Sequence, residues 1–485
     1  MHPDHGEKGD ATNMGPSDAH TTIRVAELIC KTQLNQIPRE VIDYSKSLAL
    51  SALGGMVSGA QIPSCKIVTR YVQRMGGNRE ATVAASGFKT SVENAALANS
   101  HFAHTTEYED DSMPEGVSAY TLYPPLFALA EKLGSPGSRV LEAFVVGYEV
   151  QSRLGIDCNN ARKRGYLNLS LTGVLGVAAG AAKLLDLDVQ RTAAALSLAA
   201  SQGCGLTRQT GTDAHFIEMG VAGRDGLAAA LWASEGLTGS TTIFEGPKGF
   251  LDLKSAGEVS KPTDVVNNWG KPYRVMAVGI KSYPCCYHMQ RYIQGVVDLK
   301  RAHGFRPGEV ERVDVEVNPM VPQFIRYHEP RNLAEARFSM PHSLAVAILD
   351  DAITLRSFSD ERVKDQDARE LRQRVKMIVH EEWQYGALTG PYPLTVILKN
   401  GTRLGKDCVN VNGQPPDLLS VEKVIQKYRL CTDHVLAEDK IQESIRMILG
   451  LEELDNVARL MGTVANSDFM ETERAIKRIS QPDER

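Results

Sequence analysis

A chain of 485 residues is too long for one ordinary hydrophobic core, so two domains are the default. The composition, 42% hydrophobic and 23% charged, is that of a soluble globular protein, and a net charge of −5 offers no general basic field to nucleic acid or an anionic membrane. The eight cysteines, with Cys285 and Cys286 adjacent, make no disulfide framework and fit a reducing compartment.

Residues 1–20 are polar and carry Asp4, Glu7, Asp10 and Asp18, so a disordered tail is expected rather than a secretory or mitochondrial leader. No run approaches the ~18 apolar residues of a membrane span, and a cytoplasmic location is expected. Residues 22–58 read as two helices, the second opening at Ile37-Pro38-Arg39-Glu40. Further helices are expected near 64–75, 90–102, 122–134, 138–155, 169–186 and 189–203. Gly173, Gly176 and Gly180 lie on a helix that is apolar nearly all round, which places it centrally against close neighbours. No G-x-G-x-x-G follows a strand, so a dinucleotide fold is not supported.

The stretch from Gly220 to about Glu235 reads as a tightly packed, alanine-rich helix ended by Gly236. A polar segment with Arg208, Asp213 and His215 leads into it, a reasonable carboxylate site because helix N-termini favour anions. The helical pattern breaks at 262–275. Beyond it, Val310 to Val317 alternates as a half-buried strand, and Asn400-Gly401 is the turn of a hairpin. Helices are expected near 286–303, 339–351 and 359–375, with a helical tail over 418–480. The fold class expected is mainly α with a smaller α+β domain.

Four segments in register carry a resemblance: TEYEDD at 106–111, GRDGLAAALWASEGLTGSTTIFEGPKGF at 223–250, GIKSYPCCYHMQ at 279–290 and ARFSMPHSLAVAIL at 336–349. Together they resemble the MmgE/PrpD family, which includes 2-methylcitrate dehydratases and cis-aconitate decarboxylases. The resemblance implies a two-domain architecture: a helical domain over 21–267 and 405–485, and an α+β domain over 268–404. It also implies a homodimer acting on a small polycarboxylate with neither metal nor organic cofactor.

Candidate site residues follow from both readings. His215, Lys281, His288, Asp110 and Tyr327 are expected in catalysis, with His215 or His288 moving the proton. Arg208, Glu109, Asp111, Tyr283, Arg291, Arg326, His328 and Arg331 are expected on the substrate, since arginine offers a bidentate fork to carboxylate. Arg337 and His342 are weaker candidates. His101, His104 and Glu107 repeat at helical spacing and suit a metal face, but a cleft-lining polar face is the reading preferred. Cys285 and Cys286 are assigned to packing.

The chain departs from the family where histidines usually stand. Ser112 and Val117 occupy the neighbourhood after the acidic pair, Leu167 the one near the start of helix 169–186, and the position near His215 is a lysine in the decarboxylases. A lyase that decarboxylates or dehydrates an aconitate- or methylcitrate-like tricarboxylate is the reading preferred. A polycarboxylate epimerase using His215 and Lys281 as opposed bases, or a degenerate metabolite-binding paralogue, are the alternatives.

Overall fold

The structure, a computed structural model, describes residues 20–259, 264–386, 388–409 and 411–465. The expected tail before His20, and the part of the C-terminal helical tail beyond residue 465, lie outside the described residues.

The N-terminal half is built from helices α1 (Thr21–Lys31), α2 (Arg39–Gly59), α3 (Pro63–Met75), α4 (Val92–Thr105), α5 (Tyr123–Leu133), α6 (Gly137–Asp157), α7 (Asn159–Lys163), α8 (Asn168–Leu171), α9 (Gly173–Leu184), α10 (Val189–Ala200) and α11 (Asp213–Ser234). Side-chain caps fix several starts: Ser91 accepts from the Asn94 N–H before α4, and Asp188 from the Arg191 N–H before α10. Helix α11 is central and packs at backbone distance. A β-carbon on Gly220 would stand 2.8 Å from the Leu97 carbonyl oxygen of α4, and one on Gly226 would stand 2.5 Å from that of Val174 in α9.

Two helix expectations need correction here. Helix α11 begins at Asp213 rather than Gly220, because Asp213 suits the first turn and the polar residues continue the helix. The stretch 169–186 is two helices, α8 and α9, broken at Thr172. Two short antiparallel pairings were not legible as strands: β1 (Ala81–Val83) with β2 (Phe88–Thr90), a local hairpin, and β3 (Asp110–Ser112) with the distant β4 (Val278–Ile280).

The C-terminal half carries a four-stranded sheet of β5 (Val310–Val317), β6 (Val375–Val379), β7 (Pro393–Leu398) and β8 (Arg403–Asp407) in the order β6-β5-β7-β8. Strand β6 runs parallel to β5, while β5–β7 and β7–β8 are antiparallel. The β7–β8 turn holds Gly401 at φ +85°, a region glycine enters cheaply. The helix expected over 359–375 is two short helices, Asp360–Lys364 and Gln366–Arg372, broken at Asp365, and Val375–Val379 is the parallel strand β6. Five apolar-rich residues are too few for a period to separate strand from helix.

Helices α12 (Tyr287–His303) and α13 (Met340–Leu349) build a second core with this sheet, including Met289, Ile293, Val313, Val315 and Leu344. Phe216, from the first turn of α11, belongs to that core as well. The last helices, α14 (Val421–Thr432), α15 (Glu438–Leu449) and α16 (Val457–Thr463), return to the first core, where Tyr428 packs beneath Gly54 of α2. Among the described residues no helix is long and apolar enough to cross a membrane.

Candidate active site

The pairing of β3 with β4 sets Asp110 opposite Ile280, which brings the acidic run alongside Lys281. Residues alternate sides along extended chain, so Glu107, Glu109 and Asp111 face one way and Asp110 the other. Glu107 follows the end of α4 with φ +50°, an uncommon conformation for a residue with a side chain. Its carboxylate is thereby turned into a cavity of about 600 Å³ that includes its mouth.

The cavity wall joins both halves of the chain. From the helical side come His104, Glu107, Glu109, Asp111, Arg162 and His215; from the other come Lys281, Tyr287, His288 and Phe324. The Lys281 ammonium stands 3.1 Å from Glu107 Oε2 and 3.4 Å from Asp111 Oδ2, and it also pairs with Glu109. Burial alone would lower the Lys281 pKa, but Asp111, Glu107 and Glu109 together hold it well above the ordinary value. His215 Nε2 lies 3.4 Å and His104 Nε2 3.8 Å from Glu107 Oε1. His104 Nδ1 faces the Phe216 carbonyl at 3.4 Å.

Three carboxylates around one ammonium cannot all stay ionised cheaply in a buried site. The environment separates them. Glu107 is held below the usual carboxylate range by Lys281 and His215, which outweigh its burial. Glu109 is pushed up to about 8 by burial and by the charges of Glu107 and Asp111, against the pull of Lys281. Its Oε2 is buried without a hydrogen-bond partner. Burial also lowers His104 and His288 to about 3, so both imidazoles are neutral.

Several expected residues are elsewhere. Asp110 points away from the cavity and accepts from Ser118 Oγ at 3.0 Å and the Ala119 N–H at 2.6 Å. Arg208 is exposed, as is His328. Arg331 has 83% of its side chain exposed and pairs with Glu335 one helical turn on. Arg291 donates to the carbonyls of Cys408 and Val409 and lies 3.6 Å over the Tyr392 ring. Tyr283 donates to Gln294. Arg326 and Tyr327 donate to the carbonyls of Thr207 and Thr210, two cavity-wall residues, and so brace the wall from behind. His342 is buried against Ser357 and Arg372, and Arg337 donates to the Thr105 carbonyl. His101 is buried beside Thr105, so the metal-like spacing does not extend to three ligands on one face. Instead His104, Glu107 and His215 come within 4.8 Å of one another. Cys285 is buried, while Cys286 reaches the wall with its thiol pushed up by burial.

Two residues had no signal in the sequence. Arg162, on the short helix α7, lines the cavity. Lys427, from α14, donates to the carbonyls of Tyr108 and Lys281 and staples the acidic run to β4; burial lowers it to about 7.

Residues 23–262 match the MmgE/PrpD N-terminal domain and residues 283–453 match the MmgE/PrpD C-terminal domain. The chain belongs to the MmgE/PrpD family. Among curated proteins it is 25% identical over 450 residues to a cis-aconitate decarboxylase of Mus musculus, covering 90% of this chain and 91% of that one. The Homo sapiens cis-aconitate decarboxylase is 26% identical over 443 residues, 88% of this chain and 91% of its own. One from Aspergillus terreus is 24% identical over 474 residues, 92% of this chain and 96% of its own. Membership in the family accounts for the two-domain architecture.

Proposed function

We propose that this MmgE/PrpD chain is a lyase that removes carbon dioxide from a small polycarboxylate of the aconitate type. The observation that carries the reading is geometric: two neighbouring carboxyl groups, Glu107 and Glu109, face one cavity around the Lys281 ammonium, with Glu107 drawn below the usual range by Lys281 and Glu109 raised above it by burial. Groups whose environments drive their pKa values apart are the usual source of an acid and a base in one site.

In this scheme the bond from carbon to the departing carboxylate breaks and its electron pair remains on carbon, conjugated with a neighbouring carboxylate. Glu109 then gives its proton to that carbon. His215, oriented by the Glu107 carboxylate, relays a proton from solvent water to the Glu109 carboxylate, so that Glu109 is again neutral and His215 unchanged at the end of the turnover. Lys281 keeps the three acids together and supplies a fixed positive charge beside the developing negative one. Tyr327 and Arg326 act through Thr210 and Thr207 by fixing the wall.

Dehydration is the second reading, supported by the presence of both an acid and a base. Glu109 would protonate a departing hydroxyl while His215 takes the proton from the adjacent carbon. Incubation with a panel of polycarboxylates in deuterated water, followed by NMR, separates the two. Loss of carbon dioxide or a new alkene supports the lyase; deuterium exchange alone supports an epimerase, and an unchanged panel removes the reading.

We also propose a homodimer working in the cytoplasm. Support for the dimer comes from α3, where Ile67, Tyr71 and Met75 stand at one-turn spacing with 57%, 40% and 57% exposed. A single ~53 kDa chain in light scattering would contradict it.

A further inference from the structure

A polycarboxylate needs cations, and the cavity has few to offer. Arg208, Arg291, Arg326 and Arg331 do not reach it, and Lys281 is surrounded by three acids. One guanidinium does face the space: Arg162. Among the described residues no carboxylate forms an ion pair with it. Its contacts are the Pro114 carbonyl and, at 3.7 Å, the Met113 sulfur. A guanidinium has five N–H donors, so most of its capacity is uncommitted.

The surroundings hold the group in place. Gly116, at φ +67°, lies under it, and a β-carbon there would stand 2.9 Å from Arg162 Cζ. Any side chain at 116 would displace the guanidinium. Desolvation depresses the Arg162 pKa against the pull of Asp111 and Glu115.

Arg162 also lines a second chamber of about 620 Å³, mouth included, with Lys163, Asn159, Tyr385 and Met320. Phe324 is the other residue shared by the two spaces. The junction is therefore basic on one side and aromatic on the other.

We propose that Arg162, assisted by Lys163, is the subsite for the substrate carboxylate farthest from the reacting carbon. Arg162 takes that carboxylate through its planar fork, and Phe324 covers the carbon chain between the subsite and Glu109. The inference rests on the polycarboxylate reading of the site. It assigns the anion-binding task to a helix that carries none of the family-like segments.

The test is titration calorimetry with propane-1,2,3-tricarboxylate, an unreactive probe, on the full chain, alongside turnover of the best substrate. Arg162→Gln should weaken probe binding and raise KM on the order of 10- to 100-fold, the effect of losing a charge-assisted hydrogen bond. Arg162→Lys should recover part of that loss, and Lys163→Gln should cost only several-fold. An analogue with one terminal carboxylate replaced by an amide should bind the wild type and Arg162→Gln alike. Equal probe affinity in the wild type and a folded Arg162→Gln overturns the inference alone. Should Arg162→Gln not fold, wild-type affinity in both Arg162→Lys and Lys163→Gln overturns it instead. Failure of the wild type to bind the probe and to turn over any polycarboxylate removes the lyase reading and this inference with it.

Discussion

Nε2 of His215 lies 3.4 Å from Oε1 of Glu107, and the two residues arrive from opposite ends of packed helices. Glu107 closes α4 in left-handed backbone, and His215 opens α11. The close packing of these helices, with Gly220 against the Leu97 carbonyl, makes the pair possible. A carboxylate fixed on an imidazole holds its orientation.

His215→Ala should therefore lower kcat far more than it raises KM, on the order of 10²–10⁴-fold. Glu107→Gln keeps the shape, loses the charge, and should reproduce much of that loss. Steady-state kinetics on folded variants check both. Near-normal kcat in both variants would take the pair out of the mechanism.

Glu109 must be neutral to donate a proton, and burial with neighbouring charges raises it to about 8. Its raised pKa keeps the acid form populated at neutral pH. Activity should hold below about pH 8 and fall roughly tenfold per unit above it. Glu109→Gln should lose most of the rate, and whatever remains should lack this alkaline limb. A pH–rate profile that stays flat to pH 10 in the wild type would contradict the assignment.

The long elements were legible because their periods are long. Helices α2, α6 and α12, the strand β5 and the Asn-Gly hairpin stand where the apolar spacing and turn residues place them. The acidic run and Lys281 were legible as segments, and the cavity does contain them. What was not legible is which side chains turn inward. Asp110 and Glu109 are neighbours in sequence, yet strand alternation sends them to opposite faces, and nothing local to TEYEDD fixes the phase. Arg331 resembles a carboxylate ligand until Glu335, one turn away, takes its guanidinium. Arg162 sits in a basic, polar stretch that reads as surface, and only the tertiary fold places it beside Gly116.

Asp110 offers a separate pH test. Burial raises its pKa to about 7 despite hydrogen bonds from Ala119 and Ser118 that favour the charge. Because the folded value lies above the unfolded 3.8, its favourable contribution is complete below that value and is lost as pH rises through 7. Asp110→Asn keeps the carbonyl acceptor and never ionises. Its Tm should gain on the wild type at pH 8 relative to pH 4, with kcat changed by no more than a few fold. An equal Tm difference at both pH values would contradict this.

Gly226→Ala should destabilise the chain by about 1–3 kcal/mol, since the new methyl enters filled space. It would meet the Val174 carbonyl oxygen at 2.5 Å and the Val177 β-carbon at 2.7 Å. Gly462, in α16, has nothing within 4 Å of an added β-carbon and is the control. Gly462→Ala should match the wild type or gain a few tenths of a kcal/mol. Thermal melts that rank the two variants in the reverse order would refute the close approach of α11 to α9.

The grouping of His104, Glu107 and His215 within 4.8 Å raises the question of a metal. Two imidazoles and a carboxylate are a familiar ligand set, and burial keeps His104 neutral as a ligand requires. However, the other oxygen of Glu107 already holds the Lys281 ammonium at 3.1 Å, so a divalent ion would sit close to a fixed positive charge. In the proposed chemistry, moreover, the lone pair a metal would take on His215 is the one that relays the proton. Dialysis against a strong chelator should therefore leave turnover unchanged. Added zinc should inhibit by competing for His215 and Glu107. His104→Ala should relieve the inhibition while retaining more activity than His215→Ala. Loss of turnover on chelation, restored by zinc, would instead make these three residues a metal centre and displace His215 from proton transfer.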